Sequence, residues 1–350
     1  MAAGLLAFFI ALFASLMLVL PVRALALRVG MVDLPGPRKV HLKPIPLLGG
    51  LAMYAGVILA ILFAFDGAAR AQSAGIVTGA TLVAVVGFLD DRGWLHHQVK
   101  LFVAMPLAAV ILIASGVHAQ VFSVLTGGRV GDVLDAALTV VWVVGITASF
   151  SILDHMDGLC AGVAAVASLF FAVFALESGQ LLVSTMAAAV LGAAAGFLRW
   201  NFKPAKIFMG DGGAMFLGFL MATLALKLRP LMAGSNPPAM WLVAVLILGV
   251  PIFDTTLITI SRARRGFLPF TTPGKDHSAH RLSNLFHSQR SAVIALYALG
   301  GIFGLLAFYT HRMTAAPAYG VAAIAVAAGL AAIALLERAP YERQSKKKLV

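Results

Sequence analysis

The chain has 350 residues, of which 61% are hydrophobic and only 11% charged, and its mean hydropathy is +0.97; a soluble globular protein carries about 25% charged residues, so a soluble enzyme, a disordered chain and a disulfide-stapled secreted domain are all excluded. A single cysteine, Cys160, excludes an intrachain disulfide and a four-cysteine zinc site. The net charge is +12, from 26 Lys and Arg against 14 Asp and Glu; in so apolar a chain it reads first as loop charge and second as attraction to anionic lipid or phosphate ligands, not to nucleic acid.

A membrane span takes about 20 mostly apolar residues. Eleven segments qualify, near 5–27, 47–65, 73–89, 101–118, 134–152, 161–177, 180–198, 213–228, 239–259, 292–309 and 317–336; ten spans would also fit the hydropathy. No Lys or Arg precedes the first segment, and Arg23 and Arg28 follow it. It therefore does not read as a signal peptide, and the N-terminus is expected outside. With the loops alternating from there, every Lys and Arg but Arg70, Arg129, Lys227, Arg229 and Arg312 falls on the inner side. This bias supports eleven spans with a cytoplasmic C-terminus. The expected fold is an all-α polytopic integral membrane protein. Its transmembrane domain, 1–336, would carry the chemistry in inner loops 28–46, 90–100, 153–160, 199–213 and 260–291. The basic tail 337–350 is expected to be disordered, to touch anionic lipid and to be dispensable for the chemistry.

The acids fall on the same side. Asp33, Asp90, Asp91, Asp154, Asp157, Asp211, Asp254 and Asp276 all lie at inner ends of spans or in inner loops, where acids are costly and usually functional. In the first loop, Asp33 to Gly50, prolines and glycines shape a segment carrying Arg38, Lys39, His41 and Lys43. It reads as a phosphate-binding loop or as a plain topology loop. The second cluster is Gly87-Phe-Leu-Asp90-Asp91-Arg92, with Lys100 further on. Adjacent carboxylates repel unless a cation joins them, and oxygen ligands of this kind suit Mg²⁺; an acidic pair capping a span is the plainer explanation. In the third, Asp154 and Asp157 stand at i and i+3 on one face if the helix persists. There His155 reads as polar filler and Cys160 as a packing residue. The fourth, Asn201 to Gly218, holds Lys203, Lys206 and a Gly210-Asp211-Gly212-Gly213 turn. Such a turn opening a helix suits a phosphate or a phosphate-bound metal, or is a capped helix start. The fifth, 260–291, holds Arg262, Arg264, Arg265, Asp276, His277, His280 and Arg281. Anion recognition fits it better than zinc, since neither a cysteine nor an HExxH pattern is present. Phe267 or Phe270 would stack on a base or sit at the membrane interface. Five such loops on one side imply a cytoplasm-facing site for a pyrophosphate substrate and a lipid acceptor.

From Asp33 to Leu282 the sequence resembles the polyprenyl-phosphate N-acetylhexosamine-1-phosphate transferases of glycosyltransferase family 4. The resemblance rests on PxxRKxH…PxPxxGG, GxxDDR, DxxDGL, NFxPAKIFMGDxG and DHxxHRL in family order. It implies transfer of a sugar-1-phosphate from a UDP-sugar to undecaprenyl phosphate with release of UMP, dependence on Mg²⁺ with Mn²⁺ as a substitute, and a bacterial inner-membrane location. It is compatible with a homodimer. Catalysis would be positioning and charge neutralisation, with no strong base, because a phosphate monoester is largely ionised near pH 7. The implied catalytic residues are Asp90, Asp91, Asp157 and His280; the implied metal ligands are Asp211, Asp91 and Asp90. Asp154, Lys206, Asn201, Arg265, His277 and Arg281 are implied for the nucleotide sugar and its phosphates, and Arg38, Lys39 and His41 for the prenyl-phosphate loop.

The chain departs from the family pattern at named positions. Ala148-Ser149-Phe150-Ser151 replaces an Asn-rich run, and His155 stands where Gly or Asn is common. Ala279 replaces the middle His of HxHH, and Gly212 and Ala214 replace two Ser. The fifth loop is closer to the N-acetylhexosamine branch than to the phospho-N-acetylmuramoyl-pentapeptide branch, the alternative within the class. A lipid or nucleotide-sugar transporter is the alternative outside it; the halves show no repeat and the charges cluster at one face. A catalytically dead scaffold is a third reading, opposed by the retained carboxylates.

Overall fold

The computed structural model describes residues 2–35, 43–65, 67–228, 237–268, 274–310 and 312–341, without the side chains of 67–72, 97 and 237–240. Among the described residues the regular structure is helical but for one short ribbon. Helix α1 (Ala2–Arg28) leads into a two-stranded antiparallel ribbon, β1 (Val32–Asp33) and β2 (Ile45–Pro46), with Val32 opposite Pro46. Then come α2 (Gly49–Ala64), α3 (Gly67–Asp91), α4 (His97–Val99), a π-helical turn over Lys100–Ala104, and α5 (Met105–Ala114). The middle of the chain forms α6 (Phe122–Thr126), α7 (Gly128–Leu153), α8 (Leu159–Glu177), α9 (Leu181–Asn201) and α10 (Gly210–Lys227). The last helices are α11 (Pro237–Ile247), α12 (Gly249–Arg264), α13 (Ser278–Phe286), α14 (Gln289–Thr310) and α15 (Ala315–Leu336).

All eleven apolar segments are helical. Seven helices among the described residues are long and apolar enough to cross a membrane, eight if α11 and α12 count as one broken span. Helix α2 and the segment Lys100–Ala114 are shorter. The segment read as one span over 239–259 is a correction: it is two helices bent by 75°. Pro251, three residues into α12, has no N–H to give and crowds the carbonyl one turn back, so the helix cannot run through.

Helix α10 is the hub. Apart from Asp211, every residue from Gly210 to Ala225 is buried, as expected for a helix apolar all round. It packs against α2, α3, α7, α8 and α9. Small residues allow the close crossings. A Cβ at Gly87 would stand 2.5 Å from Gly212 Cα, and one at Gly50 would collide with the Gly213 backbone. On the flank, Gly192 and Gly196 of α9 lie against the α1 backbone at Phe8 and Leu12. Two loops are stitched by backbone bonds: Phe208 N–H to Pro46 O (2.8 Å), Gly49 N–H to Phe208 O (2.8 Å) and Gly50 N–H to Met209 O (3.0 Å). The first and fourth clusters are thereby held side by side.

Candidate active site

The site starts at the N-terminus of α10. Gly210 sits at φ +71°, in the left-handed region that glycine enters without strain. The room left by its missing side chain is filled by the Asp91 carboxylate. Asp91 accepts the N–H groups of Asp211 (2.9 Å) and Gly212 (3.2 Å), so an acid from α3 caps α10 and meets the positive end of its dipole. Asp211 accepts the Ser151 hydroxyl at 2.5 Å through one oxygen and the Lys100 ammonium through the other. Lys100 also donates to Asp90 at 2.7 Å. It opens the π-helical turn, a distortion frequent at functional sites. The adjacent acids therefore differ: Asp91 caps α10 and faces the cavity, whereas Asp90 holds Lys100 and is not among the cavity-lining residues.

The turn between α7 and α8 carries the third cluster. Asp154 follows the end of α7, half-buried, and its pKa is pushed well up by burial and by the negative charges of Asp211, Asp91 and Asp157. Asp157 accepts the Ala205 N–H at 3.0 Å and lies 4.0 Å from Lys203 Nζ. Asn201 is buried and works as a pin: its Oδ1 accepts the Gly158 N–H (3.0 Å) and its Nδ2 donates to Ile207 O (2.9 Å). Lys206 lies over the Trp200 ring, and Lys203 bonds Gln289. Cys160 is buried, its thiol 3.6 Å from Phe150 O, in keeping with packing.

His155 is more than filler. Its ring stacks on His277 (centroids 4.0 Å) and on His280 (4.6 Å), tying the third cluster to the fifth. Burial and the neighbouring imidazoles hold its pKa well down. His280 is half-buried, and desolvation and the His277 ring lower its pKa to about 4. His277 Nδ1 is 2.8 Å from Asp254, whose other oxygen accepts the N–H (2.7 Å) and hydroxyl (2.6 Å) of Ser278 at the start of α13. His155, Asp254 and His277 hold their ligand atoms close enough for a metal; Asp254 also holds the start of α13, and Arg262 Nη2 stands 3.4 Å from His277 Nε2.

A cavity of about 820 Å³ gathers these groups. Its lining includes Asp91, Asp154, Asp157, Asn201, Lys206, Asp211 and His280, and it draws on all five clusters. Arg265 and Arg281, read from the sequence as phosphate ligands, are not among its lining residues. Arg265 and Arg262 close on the Asp276 carboxylate (2.7 and 2.8 Å), and Arg281 is wholly buried against α12 and the chain end. Burial raises the Asp276 pKa, but the two guanidiniums outweigh it and hold it at about 2. His277 is a buried wall behind His280 and is not itself in the lining. Arg38, Lys39, His41 and Phe270 lie outside the described residues; Lys43 and Asp33, which flank that loop, line the cavity with Arg23. Sequence reasoning gave no role to Lys100 or Ser151. Nothing in the spacing flags them, because Lys100 reaches Asp211 through an irregular turn and Ser151 from another helix.

The profile of glycosyl transferase family 4 matches residues 73–229. A Bacillus subtilis protein named as a probable undecaprenyl-phosphate N-acetylglucosaminyl 1-phosphate transferase is 36% identical over 314 residues, covering 88% of this chain and 85% of its own length. A decaprenyl-phosphate N-acetylglucosaminephosphotransferase of Mycolicibacterium smegmatis is 35% identical, covering 91% of this chain and 85% of its own. The undecaprenyl-phosphate alpha-N-acetylglucosaminyl 1-phosphate transferase of Escherichia coli K12 is 27% identical over 302 residues, covering 83% and 80%. With that identity over that share of both chains, and with the motif loops closed around one cavity, the chain belongs to the polyprenyl-phosphate N-acetylhexosamine-1-phosphate transferases of glycosyl transferase family 4.

Proposed function

We propose that the protein transfers GlcNAc-1-phosphate from UDP-GlcNAc to undecaprenyl phosphate, releasing UMP, at the cytoplasmic face of a bacterial inner membrane. The step would begin a cell-envelope polysaccharide such as lipopolysaccharide O-antigen or a teichoic-acid linkage. The observation that carries this is the convergence of carboxylates (Asp91, Asp154, Asp157, Asp211) and cations (Arg23, Lys43, Lys203, Lys206) from separate loops on one cavity. One half suits a metal and the other suits phosphates. A phosphate oxygen of the lipid attacks the β-phosphorus, the bond from that phosphorus to the α–β bridging oxygen breaks, and UMP departs with the electron pair. No general base is needed, since the lipid phosphate is already ionised.

The donor set fits Mg²⁺: hard carboxylate oxygens, and in Asp154 an acid whose pKa is raised by burial and like charge, a repulsion that a divalent cation relieves. Asp211 and Asp91 would hold the ion, Asp90 would act through Lys100, and the metal, when bound, supplies charge neutralisation and orientation of the diphosphate. His280 is neutral near pH 7 and would offer substrate a hydrogen-bonding ring nitrogen at the cavity wall. Lys203 and Lys206 bind phosphate oxygens. The test is purified protein with undecaprenyl phosphate, Mg²⁺ and a panel of UDP-N-acetylhexosamines, reading UMP. UMP from UDP-GlcNAc, lost in Asp211→Ala, is expected; release from another donor alone would reassign the sugar, and release from none would remove the reading.

A further inference from the structure

Past α15 the chain turns back onto the segment that carries His277 and His280. The meeting point is Arg281, wholly buried in the first turns of α13. Its Nη1 donates to Glu337 Oε1 (2.6 Å) and to the Leu336 carbonyl (2.9 Å). Its Nη2 donates to Ser261 Oγ (2.8 Å) and its Nε to the Asp276 carbonyl (2.7 Å). The Tyr341 ring centre lies 3.9 Å from the guanidinium carbon, and Asn284 Nδ2 donates to Pro340 O at 2.9 Å. The expectation of a disordered tail from residue 337 is thus corrected for residues 337–341.

One guanidinium joins three elements: the end of α12 at Ser261, the turn 276–281 before and within α13, and the chain end. That turn holds His277 and His280, and His280 faces the cavity. Helix α15 has only 6% of its apolar window buried, so its own face scarcely holds it to the bundle. A rigid fork with four hydrogen bonds to three elements is a positioning device. Stripped of Glu337 and Tyr341, it leaves a buried charge with donors unmet, and the turn around it opens at lower cost.

We propose that Glu337 and Tyr341 are positioning residues of the active site, clamping Arg281 so that the 276–281 turn stays packed with His280 at the cavity. The inference rests on the proposed transfer reaction for its kinetic readout, but not for its structural one. The experiment uses full-length protein and the variants Glu337→Ala, Glu337→Gln, Tyr341→Ala and Tyr341→Phe. Amide hydrogen exchange is read over 274–287, with α9 and α10 as internal references, and KM and kcat are measured for the sugar nucleotide. The two Ala variants should speed exchange over 274–287 by ~10-fold while α10 is unchanged, and raise donor KM about 5–10-fold with kcat within about twofold. Tyr341→Phe, which keeps the stacked ring, and Glu337→Gln, which keeps an acceptor, should recover most of both. Unchanged exchange in both Ala variants would overturn the clamp, as would faster exchange with donor KM unaltered. If the unaltered protein turns over no donor, the transfer reading falls, and exchange over 274–287 alone decides the clamp.

Discussion

Lys100 stands between Asp90 and Asp211, and the site's charge balance turns on it. Lys100→Met should leave the acids repelling one another and lower UMP formation by about 100-fold or more, with Lys100→Arg recovering part of it, both read as initial rates. The acidic pair should divide in the same assay and in thermal unfolding. Asp91→Ala removes the cap from α10 and should cost about 1–2 kcal/mol of stability as well as activity, whereas Asp90→Ala should act through Lys100. Acid sensitivity is a third residue-level outcome. His280 is held at about 4, below the ordinary 6.5. The unfolded chain therefore takes up the proton first, and stability present above pH 6.5 is lost as the pH falls toward 4, by up to about 3 kcal/mol. Wild type should lose melting temperature faster than His280→Gln across that interval; parallel curves would contradict it. Residue types at this scale were legible in the sequence, but their division of labour was not. Arg265 and Arg281 look like phosphate ligands because an arginine paired to an acid of its own chain, Asp276 eleven residues on for Arg265 and Glu337 for Arg281, has the same composition as one waiting for a substrate.

Among the elements, α10 decides the arrangement. Its glycines, with Gly50 and Gly87, let α2 and α3 approach it at backbone distance, and that approach brings Asp91 onto its first turn. Gly87→Ala, on the contact with Gly212 Cα, should destabilise by about 1–3 kcal/mol and lower activity in step, read by thermal unfolding in detergent. An alanine at Gly301, which meets nothing within 4 Å, is the control. The helices were readable because long apolar runs have few other fates. The break before α12 was not, since Pro251 lies inside an otherwise apolar stretch and hydropathy does not register a missing N–H. The role of the chain end was hidden for a related reason. A polar tail looks the same whether Glu337 is solvated or seated on a buried arginine.

For the whole molecule, loops that alternate along the sequence share one end of the bundle, and the Glu177–Arg312 pair belongs to loops assigned to the other side. The charge asymmetry predicts which end faces the cytoplasm. Arg92→Cys should react with an impermeant maleimide only in inside-out vesicles and Arg129→Cys only in right-side-out cells, the buried Cys160 staying silent; the reverse pattern would invert the topology. The central claim is that the bond broken is phosphoryl, so that the sugar leaves with its phosphate. It is tested most directly with UDP-GlcNAc labelled with ³²P in the β-phosphate, undecaprenyl phosphate and Mg²⁺. The account predicts label passing into the lipid phase with unlabelled UMP in the aqueous phase, both abolished by Asp211→Ala. Label remaining in the aqueous phase as UDP while the sugar reaches the lipid, or lipid labelling undiminished in Asp211→Ala, would contradict it.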